Sequence, residues 1–259
     1  MADEAGLRDA VAALGTPLRL KGPFGGYDGR SQVRIGDVVG LPGALERLGR
    51  SPGTPLLLEA ELGFEMEVSV VAARGLDGRM AAFPLSRNVH DAGILVESVA
   101  PAAVPVEVDA AARVLGERIV DALGAVGVIT AELFLLLDGT LAVNELAPRV
   151  HNSGHWTIEG ARTSQFEQHI RAICGLPLGD PTAYGPTAMV NLLGSGEPRE
   201  ALLIGVADAL ADPLAHLHLY AKRTVFERRK MGHLTVAGAA TPSEALMRAR
   251  AAAARLRWR

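Results

Sequence analysis

The sequence predicts an α+β protein built on antiparallel β-hairpins, and three observations carry that prediction. EVSVVAARG and RMAAFPLS flank a Leu-Asp-Gly turn; GVITAELFLLL and TLAVNEL flank Asp138-Gly139; and residues 106–127 form a long amphipathic helix. The chain has 259 residues, 49% of them hydrophobic and 21% charged, which suits one large or two modest globular domains. A net charge of -3 gives neither a phosphate backbone nor an anionic lipid surface anything to attract, so nucleic-acid and membrane-surface binding are not expected. Any anionic ligand needs a local basic cluster. No run of 18 apolar residues and no secretory leader pattern occurs, and Cys174 is the single cysteine, so the expected location is cytoplasmic. Cys174 reads as a small core residue.

In chain order, positions 3–14 suit a helix closed by Gly15, with Leu7, Val11 and Leu14 on one side. LRLK follows as a short strand. GPFGGYDGRSQ holds four glycines and a proline in eleven residues and suits a mobile loop. Residues 43–49 suit a helix and PLLLE a buried strand. The helix at 106–127 places apolar residues at 111, 114, 115, 119, 120 and 123. TSQFEQHIRAICG reads as a helix capped by Thr163 or Ser164 and stopped by Gly175. TAMVNLLG is an apolar strand, and an Ala/Arg-rich helix begins near Ser243.

A two-residue loop at Asp138-Gly139 pairs positions whose numbers add to 277, as those of Glu132 and Glu145 do. The two then face each other on one side of the sheet, with Cβ atoms roughly 5 Å apart. Opposed carboxylates among Leu, Phe and Val repel unless a cation or a shared proton lies between them. A hard-oxygen Mg²⁺ site completed by phosphate and water fits best. A slip of one residue instead leaves two solvated glutamates on opposite faces. A glycosidase-like acid/base pair fits poorly, because only 4% of the chain is aromatic. His151 and His155 have H-x-x-x-H spacing, but Asn-Ser-Gly between them is a poor helix, which disfavours a zinc pair. GGYDGRSQ lacks the end of a Walker loop, although its backbone N–H groups suit a flap over phosphates. AKRTVFERRKMGH concentrates Lys222, Arg223, Arg228, Arg229 and Lys230, either as a solvated face or as a phosphate receptor.

Together these segments resemble the carboxyaminoimidazole ribonucleotide synthetases, ATP-grasp enzymes of purine synthesis. The resemblance rests on LK at 20–21 with GGYDG at 25–29, LLLE at 56–59 with EVS at 67–69, and FPLSRNVHDAGIL at 83–95. It continues through AELF at 131–134, NELAPRVHNSGHW at 144–156, SQFEQHIRA at 164–172 and RKMGH at 229–233. It implies an ATP-grasp fold: a lid subdomain at 1–62 with the glycine-rich flap, an antiparallel-sheet core at 63–185 with the metal and substrate site, and a C-terminal subdomain at 186–259. The family's N-terminal α/β domain, about a hundred residues, is expected to be absent ahead of the first helix.

By the same resemblance Lys21 meets ATP phosphates, Glu59, Ala60, Glu61 and Leu62 form the adenine hinge, and Glu67 meets the ribose with His90 nearby. Glu132 and Glu145 match Mg²⁺ ligands. Tyr27, Asp28, Arg149, His151, Asn152, Lys222, Arg229 and Lys230 match the positions that hold the ribonucleotide, with Arg149, His151 and Lys21 taking part in the chemistry. The implied reaction is a ligase one, in which bicarbonate is activated by ATP as carboxyphosphate and carboxylates aminoimidazole ribonucleotide. The implied partners are these small molecules, with a homodimer or a separately encoded N-terminal domain as the macromolecular possibilities. Pro23, Phe24, Ser31, Val96 and Phe226 depart from the family pattern. A paralogous carboxylate–amine ligase and a non-catalytic nucleotide-binding derivative stay open beside the leading reading.

Overall fold

The computed structural model of the protein describes residues 4–22, 31–36, 46, 48 and 55–259. Two compact units form, Met1–Gly63 with Asp91–Ile94, and Phe64–His90 with Leu95–Arg259.

In the first unit, helix α1 (Glu4–Leu14) stops at Gly15, whose φ of 75° is open to a residue without Cβ. Strand β1 (Leu18–Lys21) lies between β2 (Gln32–Ile35) and β3 (Leu57–Ala60) in an antiparallel sheet. Alternation sends Leu18 and Leu20 into a core with Val11, Ile35 and Leu58. Arg19 and Lys21 therefore project from the other face. There Arg19 and Arg34 hold the Glu61 carboxylate at 2.9 and 2.7 Å, and Lys21 meets Glu59 at 2.6 Å. Leu14, on the same side as Val11, is exposed at the last position of the helix. Tyr27 and Asp28 lie outside the described residues, as does the helix expected at 43–49 apart from Glu46 and Leu48.

The second unit is organised by a nine-stranded sheet. Its strands are β4 (Phe64–Arg74), β5 (Met80–Ala82), β6 (Ser86–Asp91), β7 (Ile94–Ala100), β8 (Gly127–Leu136), β9 (Leu141–Ala147) and β10 (Thr187–Leu193), then two from later in the chain. After the short β11 (Arg199–Glu200) and β12 (Leu203–Ile204) come β13 (Ala215–Leu219), β14 (Thr224–Val225), β15 (Lys230–Ala237) and β16 (Arg257–Trp258). The order across the sheet is β13-β15-β10-β7-β6-β4-β8-β9, with β5 beside β4. Every described register is antiparallel. The ribbons β11–β14 and β12–β16 stand apart. Strands from 63–185 and from 186–259 share the one sheet, so no structural break falls between those two segments.

Helix α2 (Val106–Ala122) covers one face of the sheet. Its buried ridge is Ala112, Gly116 and Val120 at four-residue spacing, whereas Val114 is 56% exposed and Leu123 is also outside. The apolar positions at 111, 114 and 123 are thus not the contact face. Close approach selects small residues instead: a Cβ at Gly116 would lie 3.2 Å from atoms of Ala72 and Val70. On the opposite face of the sheet lie α3 (Thr157–Gly160) and α4 (Gln165–Ile173). Ser164, rather than Thr163, caps α4 by accepting from Glu167 N at 3.2 Å. Cys174, at the helix end, is exposed and not a core residue. After α5 (Val206–Ala209), helix α6 (Pro242–Ala253) packs on the same face as α2. Arg250 fixes it there through two hydrogen bonds of 2.5 and 2.7 Å to Glu97 on β7. No described helix is long and apolar enough to cross a membrane.

Candidate functional site

Glu132 and Glu145 are direct cross-strand partners, but two departures from the simple hairpin cancel to put them there. The turn has three residues, not two: Leu136 N donates to Thr140 O, and Gly139 takes φ 82°, the left-handed position of a three-residue loop. Near the turn the paired numbers therefore add to 276, as in Leu133 with Val143. A β-bulge between Glu132 and Leu133 then inserts Asn144 on β9 and restores the sum to 277. Without the bulge Asn144 would oppose Glu132, and Glu145 would face the other side of the sheet.

The register continues the row inward. Glu132 pairs with Ser69 on β4, and Ser69 with Ser86 on β6. Glu67 and Asn88 are the next pair on the same face. A polar band thus crosses strands whose opposite face is apolar. Its buried groups are joined: Ser98 Oγ donates to Asn88 Oδ1 at 2.6 Å, Asn88 Nδ2 to Ser69 Oγ at 2.9 Å, and Ser69 Oγ to Ser153 Oγ at 2.8 Å. Hydrogen bonding of this kind offsets the cost of burying hydroxyls and amides.

Ser153 belongs to the loop that carries most of the candidate residues. A 3-10 turn at Asn152–Gly154 folds it back on the sheet, and His151 Nε2 reaches Glu132 at 2.8 Å. Gln165, fully buried at the start of α4, clamps this loop. Its Oε1 accepts from His151 N at 2.9 Å, and its Nε2 donates to His151 O at 2.7 Å and to His155 Nδ1 at 3.0 Å. Gly154 makes room for it, since a Cβ there would lie 2.6 Å from Gln165 Oε1. Asn152 and Asn191 exchange amide hydrogen bonds of 3.0 and 2.6 Å, tying the loop to β10.

Charge gathers around this band. Burial pushes the Glu132 carboxyl up, but the hydrogen bond from His151, with the fields of His90 and Lys230, outweighs it and leaves the pKa lowered. His90 hydrogen-bonds Glu67 through Nδ1, and that contact raises its pKa against the opposing effect of burial. The fields of Lys230 and Arg149 both reach His155, which burial and its basic neighbours depress to about 4. Beside it lies a cluster that composition and motif did not single out. His233 is stacked on His218, its Nδ1 is bonded to Tyr220 OH at 2.9 Å, and burial lowers its pKa to about 3. His218 in turn meets Glu159 at 2.6 Å.

Glu67, His90, Glu132, His151 and Lys230 belong to one electrostatic neighbourhood, with Arg149 close enough to act on His155. Lys222 lies over the Tyr220 ring and donates to Lys230 O at 2.5 Å. Arg229 donates to Thr224 O and lies over Phe226 in its own turn. Lys21, Glu59, Ala60 and Glu61 are in the first unit, and Leu62 lies in the connection that ends it. Gln165, Ser69, Ser153 and Asn191 were missed. Gln165 alone had a legible signal, because α4 places Phe166, Ile170 and Ile173 outward and its glutamines inward, reversing the ordinary apolar face.

Residues 1–166 match the ATP-grasp domain family. The chain belongs to the ATP-grasp family. Residues 187–246 also match the phosphoribosylaminoimidazole carboxylase C-terminal domain. Among curated relatives, the chain is 45% identical to an N5-carboxyaminoimidazole ribonucleotide synthase of Brucella melitensis over 90% of its own length and 62% of the relative's. It is 43% identical to one of Bacillus subtilis over 88% and 58%. The chain thus spans about 60% of the length of the curated relatives it matches. Among solved structures, an N5-carboxyaminoimidazole ribonucleotide synthetase of Thermotoga maritima superposes with a TM-score of 0.85 at 36% identity, covering 97% of this chain and 65% of that one. An Aspergillus clavatus N5-carboxyaminoimidazole synthase, in complex with ADP and 5-aminoimidazole ribonucleotide, gives 0.87 at 32%, covering 98% and 66%. The ATP-grasp fold expected from the sequence agrees with these likenesses.

Proposed function

We propose that this chain carries the nucleotide and metal site of an ATP- and bicarbonate-dependent ligase that converts 5-aminoimidazole ribonucleotide to its N5-carboxy derivative in purine synthesis. The observation that carries the reading is the bulge-corrected pairing of Glu132 with Glu145, beside a loop locked onto Glu132 through His151. The names of the relatives, and the ADP and ribonucleotide in the fungal complex, support the substrate class.

The donor set suits Mg²⁺. Two glutamates offer hard oxygens, and among the described residues no cluster of three or more His, Cys, Asp or Glu side chains is arranged for a softer, all-protein site. Glu132 and Glu145 would hold the ion, which when bound supplies Lewis-acid charge at the phosphates. The lowered pKa of Glu132 keeps it anionic for that task. Lys21 supplies positive charge to the phosphates, Glu59 through Leu62 meet adenine, and Glu67, oriented by His90, meets the ribose. Arg149, Asn152, Lys222, Arg229 and Lys230, with Tyr27 and Asp28, take the acceptor side. Of these, Lys230 has the strongest support, because its charge already acts on Glu132 and His90. Positive groups held in place before the reaction stabilise developing negative charge without reorganisation.

The test is ADP release by the purified chain with ATP, Mg²⁺, bicarbonate and aminoimidazole ribonucleotide, alone and together with the N-terminal domain of a full-length relative. ADP formation that requires both bicarbonate and the ribonucleotide is expected. Glu132→Gln and Glu145→Gln are expected to abolish it while leaving the fold intact. Release that responds to a different amine or carboxylate, and not to this ribonucleotide, would reject the substrate assignment.

A further inference from the structure

His151 offers two nitrogens, and its neighbours determine which one carries the proton. A backbone N–H can only donate, and Ser153 N points at His151 Nδ1 at 3.3 Å. The Ser153 hydroxyl lies on the same nitrogen at 2.9 Å. That hydroxyl already receives the proton of Ser69, whose oxygen receives Asn88 Nδ2, so its own proton is free to go to Nδ1. Nδ1 is therefore an acceptor. The ring proton resides on Nε2, which faces Glu132 Oε1 at 2.8 Å. Gln165 holds the backbone of His151 from both sides and so fixes where the side chain starts, while the contacts at Nδ1 and Nε2 hold the ring itself. Both nitrogens are thus committed within the protein.

We propose that His151 acts as a neutral hydrogen-bond donor that orients Glu132, with Ser153 and Gln165 as the positioning residues that commit it to that role. In this role it works through Glu132, and its own contacts are with Glu132 and Ser153. Donation to one oxygen of Glu132 leaves that carboxylate a single preferred rotamer, with its other oxygen available. Partners that orient a ligating carboxylate commonly matter about 10- to 100-fold in metal affinity. The proposal rests on the reading of Glu132 as a nucleotide–metal carboxylate.

The experiment uses the full chain, with Mg²⁺ and ADP as the probe, and two substitutions that separate donation from proton transfer. His151→Gln places an amide N–H where Nε2 stands and cannot act as an acid or base; His151→Phe keeps a ring and removes the donor. Mg-ADP is expected to bind at least about tenfold more weakly to His151→Phe than to His151→Gln. Nitrogen-15 spectra of histidine-labelled protein are expected to show a protonated Nε2 and a bare Nδ1 at His151, assigned by its loss in the Gln variant. Equal weakening in both variants, or a protonated Nδ1, overturns the proposal. Should His151→Phe not fold, Ser153→Ala replaces it: a rise in the Nδ1–H form with weaker Mg-ADP is expected, and an unchanged spectrum and affinity count against the idea. If the wild-type chain does not bind Mg-ADP, alone or together with the N-terminal domain of a full-length relative, the functional reading fails, and the spectrum alone still decides the role of His151.

Discussion

The two faces of the nine-stranded sheet follow one alternation rule and reach opposite ends. On β8, Ile129, Ala131 and Leu133 point to the α2 side and close a core with Val68, Val70 and Val120. Between them, Thr130 and Glu132 point to the other side, where Val128 joins Trp156 and Met189 at one end of the face and Glu132 joins the polar band at the other. The apolar face needs only the right spacing and volume, so many sequences satisfy it. The polar face needs each buried group to find a named partner, and a single register error would leave several unsatisfied.

That contrast can be broken most severely at adjacent residues of β8. Leu133→Ala is expected to lower unfolding free energy by about 2–5 kcal/mol, because the side chain is almost fully buried and leaves a cavity. Its neighbour Glu132→Gln should change stability by less than about 1.5 kcal/mol, since it keeps an acceptor for His151, while Mg-nucleotide binding disappears. Denaturant titration and calorimetric titration of both variants check this, and a larger stability loss from Glu132→Gln would contradict the division of labour.

A smaller effect sharpens the polar face through pH. His155 and His233 are depressed to about 4 and about 3 by burial and by basic neighbours, which include His218, Lys230 and Arg149. In the unfolded chain they take up protons near pH 6.5, before the folded protein does. Stability is therefore full above about pH 6.5 and falls as pH drops toward the folded values, by on the order of 3–5 kcal/mol for each imidazole. His233→Gln is expected to make that acid limb shallower by roughly one proton's slope. An acid limb identical to wild type would show that these imidazoles are protonated in the fold.

The smallest effect lies on the apolar side. Thr241 caps α6 by accepting from Glu244 N at 3.1 Å, so Thr241→Ala should cost about 1 kcal/mol and leave Mg-nucleotide affinity alone. A change in affinity from this substitution would mean that the two faces are coupled.

How much was legible follows from the same contrast. The hairpins, the helices at 106–122 and 165–173 and the central strand of the first unit were readable because local periodicity and turn residues specify them. Strands β6 and β7 were passed over, since Ser86, Asn88, Glu97 and Ser98 are buried polar residues that erase the hydrophobic alternation. Their turn also hides, with Ala92 and Gly93 both at positive φ where Asn-Gly would have announced it. The buried edge of α2 was misjudged because a helix meeting a sheet closely selects Ala112 and Gly116, whose value lies in what they leave out.

The sequence by itself determined the antiparallel architecture, the family and the residue types around the site, because those depend on short-range pattern and on motifs such as NELAPRVHNSGHW. Only the tertiary structure decided which groups meet. The Glu132–Glu145 register came out of a three-residue turn and a bulge that cancel, and no rule of spacing foretells such a cancellation. The proton on His151 and the inward glutamines of α4 were decided likewise, since hydrogen-bond donors 14 or 84 positions apart in the chain act only where folding has brought them within about 3 Å.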